Sequence, residues 1–244
     1  KDKNMNIIFP MGGIGNRLKN YVNKKPKPLD EVLGKTILEW SIKTIGIEGN
    51  IIFCCKTEHI EQFDLEKKLK EIIPNCKVVS INYQTEGAVQ TILEAENIIN
   101  TNEELLISDI DHFLIWDTTL FKKIIDEKKP DSCVMIFPEP QFSKKMSYVK
   151  VNKNGYVTES AEKIPISNIG TVGVHYFKKG SDFVHYGKKM IKENIKFNNE
   201  YYVTPIYNLL VQENKKIITF PIIKMWALGN PDELELFIKE YSNR

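Results

Sequence analysis

The sequence has no apolar run near the roughly 18 residues needed to cross a bilayer, and no leading hydrophobic segment of signal-peptide type. A membrane partner is therefore not expected, and the cytoplasm is the expected location. Histidine is scarce. His59, His112, His175 and His185 show neither a His-Glu-x-x-His pattern nor helical ligand spacing, which argues against a zinc enzyme. The cysteines (Cys54, Cys55, Cys76, Cys133) lack metal spacing too, and Cys54 and Cys55 continue the apolar Ile51-Ile52-Phe53, so buried free thiols are expected. Charge of one sign is also missing. The 34 basic and 32 acidic residues leave a net charge of only +2. Lysines alternate with glutamates, so no basic face forms and no nucleic-acid partner is expected. No internal repeat or low-complexity tract is present.

What is present is alternation. Of the 244 residues, 42% are hydrophobic, enough for a sizeable core. Residues 5–244 read as one domain, and the polar Lys1 to Asn4 ahead of Met5 as an expression remnant. Apolar β-branched runs predict strands over 6–10, 51–55, 77–81, 104–108 and 132–138. Between them, helical periodicity marks 35–46, 60–73, 88–99 and 120–128. This order predicts an α/β fold with a doubly wound, mostly parallel (mixed) sheet of Rossmann-like type. The second half adds a small β-hairpin elaboration over 147–158, turning at Asn154-Gly155. A strand at 170–177, helices at 181–191 and 203–211, a strand at 217–221 and a helix at 231–241 follow. Asn230 is the expected cap of that last helix, with Pro231 in its first turn.

The first strand runs into Met11-Gly12-Gly13-Ile14-Gly15-Asn16-Arg17-Leu18. Glycines there let backbone amides approach an anion closely; a tight turn without a ligand is the plainer alternative. Neither common nucleotide motif is complete. Leu18 stands where a dinucleotide fingerprint needs its third glycine, and Leu29 where a P-loop ending in Gly34-Lys35-Thr36 needs its opening one. The turn is instead followed by Arg17 and by Lys24-Lys25-Pro26-Lys27-Pro28-Leu29. Prolines stiffen that segment and can aim a lysine at a phosphate. Arg17 and Lys27 are the candidates for stabilising charge at a transferring phosphoryl group.

The fourth strand ends in Asp109-Ile110-Asp111-His112. Carboxylates at the carboxyl end of a strand sit where open α/β sheets bind ligands. Two positions apart, Asp109 and Asp111 share a face, and either or both suit Mg²⁺ arriving with a triphosphate. A helix cap or loop-stabilising carboxylate is the alternative. His112 reads as a structural or substrate-contacting residue, and Asp117 as a helix cap.

Together these motifs resemble the sugar-phosphate nucleotidyltransferases, the nucleotide-sugar pyrophosphorylases. The likeness runs from Met5 almost to the end. It includes the glycine turn with Lys25-Pro26-Lys27-Pro28, Thr85-Glu86-Gly87-Ala88, the Asp111 segment, Glu162-Lys163, Asn199 to Asn208 and Leu228-Gly229-Asn230-Pro231. The resemblance implies a GT-A-like nucleotidyltransferase fold and an Mg²⁺-dependent enzyme. It would join an NMP from an NTP to a small phosphorylated acceptor and release pyrophosphate. Arg17, Lys27 and Asp111 would be catalytic. Met11, Gly12, Gly13, Gly15, Gln84, Gly87 and Asp109 would line the nucleotide, with Asp111 and Asp109 as metal ligands. Glu162, Lys163, Tyr201 and Tyr202 would face the acceptor. One departure is Ala227, where many members carry a second metal carboxylate; Asp109 is the candidate substitute. The compact form is most similar to enzymes encoded with capsule or surface-polysaccharide genes, including cytidylyltransferases of phosphoglutamine, which favours CTP. Alternatives are a sugar-1-phosphate thymidylyl- or guanylyltransferase, a nucleotide-sugar-dependent glycosyltransferase using Asp109 and Asp111, and a non-catalytic nucleotide sensor. Homo-oligomerisation is left open.

Overall fold

The computed structural model describes residues 5–12 and 26–243. Strand β1 (Asn6–Pro10) is followed by a short ladder of β2 (Glu31–Val32) and β3 (Lys35–Thr36), then α1 (Ile37–Ile45). Reciprocal capping starts α1. Thr36 Oγ1 accepts the Glu39 N–H at 3.1 Å, and the Glu39 carboxylate accepts the Thr36 N–H at 2.7 Å. Next come β4 (Asn50–Lys56), α2 (Thr57–Phe63), α3 (Leu65–Ile72), β5 (Lys77–Ile81), α4 (Ala88–Leu93), α5 (Glu96–Ile99) and β6 (Leu105–Ser108). Two helices expected as single are thus split. Asp64, in the left-handed region at φ +52°, turns α2 into α3, and residues 94–95 separate α4 from α5. Strand β7 (His112–Ile115), α6 (Thr118–Lys128) and β8 (Ser132–Pro138) complete the first half. Asp117 caps α6, its Oδ1 accepting the Leu120 N–H at 2.8 Å. The second half holds β9 (Ser147–Val151), β10 (Val157–Glu162), β11 (Ile169–Phe177), α7 (Gly180–Lys192), α8 (Ile206–Gln212), β12 (Ile217–Pro221), β13 (Lys224–Ala227) and α9 (Pro231–Tyr241). Asn230 caps α9 as expected. Strands β7 and β13, four residues each, were not foreseen.

Among the described residues, a nine-stranded mixed sheet forms the centre. β6, β1, β4 and β5 are parallel neighbours in that order. β11 pairs antiparallel with β6 on one side and β8 on the other, and β12 adds to β8 in parallel. The β9–β10 hairpin continues this sheet, joined to β11 where Gly170 faces Tyr148. β7 and β13 form a separate antiparallel pair.

Both faces of the sheet are covered, which is why its strands read as continuous apolar runs. Ile7, Phe9, Phe53 and Leu106 point toward α1, α3 and α6, against Leu38, Leu69 and Phe121. Ile8, Ile52, Leu105 and Ile107 point the other way, against Ile92, Phe183 and Tyr207 of α4, α7 and α8. The four cysteines are buried and free, as expected. A third cluster joins α1, β7, β13 and α9 through Trp40, Phe113, Trp226 and Phe237, with Trp40 at 5.2 Å from Phe113 and 5.1 Å from Phe237. No helix among the described residues is long and apolar enough to cross a membrane.

His175 lies inside the sheet core, its Nδ1 at 2.6 Å from the Tyr207 hydroxyl. Burial, reinforced by nearby His112, lowers its pKa to about 3. The native ring is therefore neutral, while the unfolded chain protonates near pH 6.5. Stability from excluding that proton is complete above about pH 6.5 and is lost as pH falls toward 3, at about 1.4 kcal/mol per unit. Urea titrations between about pH 4.5 and 7 should show a shallower pH slope in His175→Gln than in the wild type. Equal slopes would assign the acid sensitivity to other groups.

Candidate active site

The carboxyl ends of β1, β4, β5 and β6 share one edge of the sheet, the edge at which such sheets bind ligands. Beyond β1, the Met11 N–H donates to the Cys54 carbonyl at 2.8 Å, which directs the chain into Gly12. The Gly12 carbonyl accepts from Gln84 Nε2 at 3.3 Å and Thr85 Oγ1 at 3.2 Å. Gln84 Oε1 also accepts from the Lys56 ammonium. Met11, Gly12 and Gln84 are thus brought together; Gly13, Gly15, Arg17 and Lys25 lie outside the described residues. An open depression of about 670 Å³ flanks this corner, lined by Lys56, Thr57, Tyr83 and Gln84 among others; it does not include the aspartates. Lys27 is buried on a short 3₁₀ turn (Lys27–Leu29), whose carbonyl accepts the Asp30 N–H at 2.9 Å.

Gly87 precedes α4 at φ +118°, and a Cβ there would lie 2.7 Å from the Tyr201 backbone nitrogen. Its missing side chain serves this close approach. The Tyr201 N–H bonds to the Glu86 carbonyl at 2.7 Å, and the Val89 N–H to the Tyr201 carbonyl at 3.1 Å.

The acidic cluster is pinned through its backbone. The Asp109 N–H donates to the Gly173 carbonyl at 2.9 Å, and the Asp111 carbonyl accepts the Leu228 N–H at 2.7 Å. The His112 carbonyl accepts from Ser41 Oγ at 3.1 Å. Gly173, at φ +74°, sits where the β11–β8 register shifts between Thr171 and His175. A Cβ on it would lie 2.2 Å from Asp109 Oδ2, so only glycine leaves room for that carboxylate. One ligand atom each from Asp109, Asp111 and His112 lie within 4.8 Å of one another. The two aspartates meet as their spacing predicts, and His112 joins them, which the sequence did not suggest. Ala227 pairs with His112 across β13 and β7, so the position of the absent carboxylate is beside the cluster and carries a methyl group. Burial first, then the charges of Asp111 and Glu162, raise the Asp109 pKa well above the usual carboxylate range. A divalent cation would relieve that repulsion, so the donors present fit one.

Glu162 ends β10, buried, and accepts a hydrogen bond from Ser147 Oγ at 2.5 Å. Burial raises its pKa against the opposing pull of Ser147 and Lys163; Glu200 adds to the rise. Lys163 follows in the left-handed region at φ +56°. Its ammonium donates to the Tyr202 hydroxyl at 2.9 Å and lies 4.6 Å from the centre of that ring and 5.9 Å from that of Phe197. The tyrosines separate. Tyr202 flanks Lys163, whereas the Tyr201 ring is in the core with its hydroxyl donating to Asn194 Oδ1 at 3.2 Å. Phe197 and Gly173 were missed from sequence; a glycine inside an apolar strand was the available signal for the latter.

A family model described as nucleotidyl transferase matches residues 6–239. The "Bifunctional protein GlmU" of Thermotoga sp. (strain RQ2) is 26% identical over 210 residues, which cover 84% of this chain and 44% of that protein. The protein of the same name from Thermosipho melanesiensis is 24% identical, covering 83% and 43%. The chain therefore spans less than half the length of these curated relatives. Among solved structures, a nucleoside-diphosphate-sugar pyrophosphorylase from Vibrio cholerae RC9 superposes with a TM-score of 0.80 at 20% identity, covering 96% of this chain and all of that one. A UDP-glucose pyrophosphorylase complexed with UDP-glucose gives 0.78 at 18% identity, over 99% of this chain and 100% of that one. The Rossmann-like mixed sheet is thus the fold of these proteins.

Gly173 and Gly34 have nearly the same backbone angle, φ +74° and +75°, but a Cβ on Gly34 would meet nothing within 4 Å. Alanine at either should cost about 1 kcal/mol of stability through left-handed strain. Only Gly173→Ala should also weaken Mg²⁺ binding, by about 10-fold or more, because it displaces Asp109. Calorimetric titration of both variants checks this, and equal affinities would remove Asp109 from the metal site.

Proposed function

The chain belongs to the nucleotidyl transferase family, and on that premise we propose that it joins the NMP of an NTP to the phosphate of a phosphorylated sugar, releasing pyrophosphate. The carrying observation is geometric: just past the carboxyl end of β6, Asp109 and Asp111 bring ligand atoms within 4.8 Å of one another, which supports a site for a metal-bound triphosphate. The names of the relatives, a nucleoside-diphosphate-sugar and a UDP-glucose pyrophosphorylase, favour a sugar phosphate as acceptor.

In this chemistry a phosphate oxygen of the acceptor attacks the α-phosphorus in line. A new phosphorus–oxygen bond forms as the bond to the β-bridging oxygen breaks, and its electron pair leaves with pyrophosphate. No protein nucleophile is needed. Met11, Gly12, Gly13, Gly15, Gln84 and Gly87 contact the nucleotide, and Thr85 keeps the Gly12 carbonyl in place. Lys27 balances charge at the α-phosphate and Arg17 at the leaving pyrophosphate. Lys163, steadied by Tyr202, takes the acceptor phosphate, and Glu162 accepts a hydroxyl of the acceptor. Asp109 and Asp111 would hold Mg²⁺, which would supply further neutralisation of phosphate charge.

A second reading is CTP with a phosphorylated non-sugar, in the supply of capsule or surface-polysaccharide precursors. The methyl of Ala227 beside the cluster favours it, since that departure accompanies the compact, capsule-associated form. Incubating the protein with each of the four NTPs, Mg²⁺ and a panel of sugar 1-phosphates and phosphorylated non-sugars, phosphoglutamine included, separates the two. Pyrophosphate release with a sugar 1-phosphate is expected. Release only with a non-sugar would favour the second reading, and none with any pair would overturn both. Lys27→Ala should lower turnover about 100-fold, by analogy with loss of one transition-state donor. Unchanged turnover would take Lys27 out of the mechanism.

A further inference from the structure

Three features of His112 are unusual together. The residue is only 4% exposed, and its Nε2 has no hydrogen-bond partner among the described residues. Leaving a buried polar atom unpaired is costly, so such an atom calls for a ligand or a water. A ring nitrogen of the same side chain lies within 4.8 Å of carboxylate oxygens from both Asp109 and Asp111. Around an ion with bonds of about 2.1 Å, neighbouring ligands stand ~3 Å apart and opposite ones ~4.2 Å. The 4.8 Å limit of the cluster is about 0.6 Å wider than that. Hydrogen bonds to Ser41, Leu228 and Gly173 hold the backbone of all three residues in place. The residue facing His112 on the neighbouring strand, Ala227, brings no side-chain donor of its own.

We propose that His112 is a third protein ligand, through imidazole nitrogen, of the divalent cation held by Asp109 and Asp111, and that it turns the site toward first-row transition ions such as Mn²⁺ and away from Mg²⁺. Mg²⁺ is a hard ion that favours an all-oxygen octahedron and gives up its waters reluctantly. Imidazole adds little for Mg²⁺ but is a good donor to first-row transition ions. A pair of carboxylates alone would bind both ions by charge. The nitrogen is what separates them. In the proposed reaction, the consequence would be a preference for the manganese salt of the triphosphate, a step that rests on the nucleotidyl-transfer reading; the ligation itself does not.

The test uses the whole protein without nucleotide, so it is read independently of turnover. Pulsed electron paramagnetic resonance on the protein with one equivalent of Mn²⁺ should show ¹⁴N coupling from a directly bound imidazole. The coupling should vanish in His112→Gln, while that variant binds Mn²⁺ about 10-fold more weakly and Mg²⁺ within about threefold of the wild type. Absence of nitrogen coupling in the wild type overturns the proposal whether or not the variant folds. Coupling that persists in a folded His112→Gln protein also overturns it. If ligation is found but no NTP and acceptor pair releases pyrophosphate, the metal site stands and the catalytic reading falls.

Discussion

Two carboxylates held within 4.8 Å of each other, half-buried, set the terms for the rest of this site. At that separation the repulsion between Asp109 and Asp111 is roughly 3.5 kcal/mol for an effective dielectric near 20. A chain left to itself would relax by turning one aspartate into solvent. Here each is tied at its backbone, Asp109 to β11 and Asp111 to the end of β13, so the side chains remain together. The raised Asp109 pKa expresses the same constraint: without a cation, the cheapest relief is a proton.

The parts that hold the cluster come from far along the sequence. The Gly173 turn in β11 leaves space for the Asp109 carboxylate, and the aromatic cluster of Trp40, Phe113, Trp226 and Phe237 clamps β7 and β13 between α1 and α9. Aromatic rings bury much area with few rotatable bonds, so they fix strand position as well as adding stability. Because β7 begins at His112, that cluster also sets where the imidazole stands. Two elements too short to be stable alone, four residues each, owe their existence to this packing. This is a site built on strands, with its geometry set by groups outside the acidic cluster itself.

This explains what was legible in the sequence and what was not. The central strands were legible because burial on both faces leaves uninterrupted β-branched runs. Asp109 and Asp111 were legible because they follow such a run directly. Asn230 and Asp117 were legible because caps are local. The place of Gly173 against Asp109, of Ala227 beside His112 and of Tyr201 in the core depends on contacts between distant segments, which composition and spacing do not carry. His112 was read by the absence of a second histidine nearby in sequence, whereas its companions are the aspartates just before it. The helices broken at Asp64 and at residues 94–95 failed for a different reason: apolar periodicity continues through both breaks, and only the backbone departs from the helix.

The charge balance of the site bears on the order in which ligands arrive. Asp109, Asp111 and Glu162 act on one another's charge, and on the proposed function a triphosphate would add several negative charges beside them. Lys163, beside Glu162 in the chain, is engaged with the Tyr202 hydroxyl rather than standing open. Lys163 is held against Tyr202 and Phe197 in a left-handed backbone conformation, which a non-glycine residue adopts only when its surroundings impose it. On the proposed function, a triphosphate carrying a cation would bring the aspartates the charge they lack. Cation and nucleotide would then bind as one unit, each improving the site for the other. An acceptor phosphate at Lys163 would gain once that unit had neutralised the cluster.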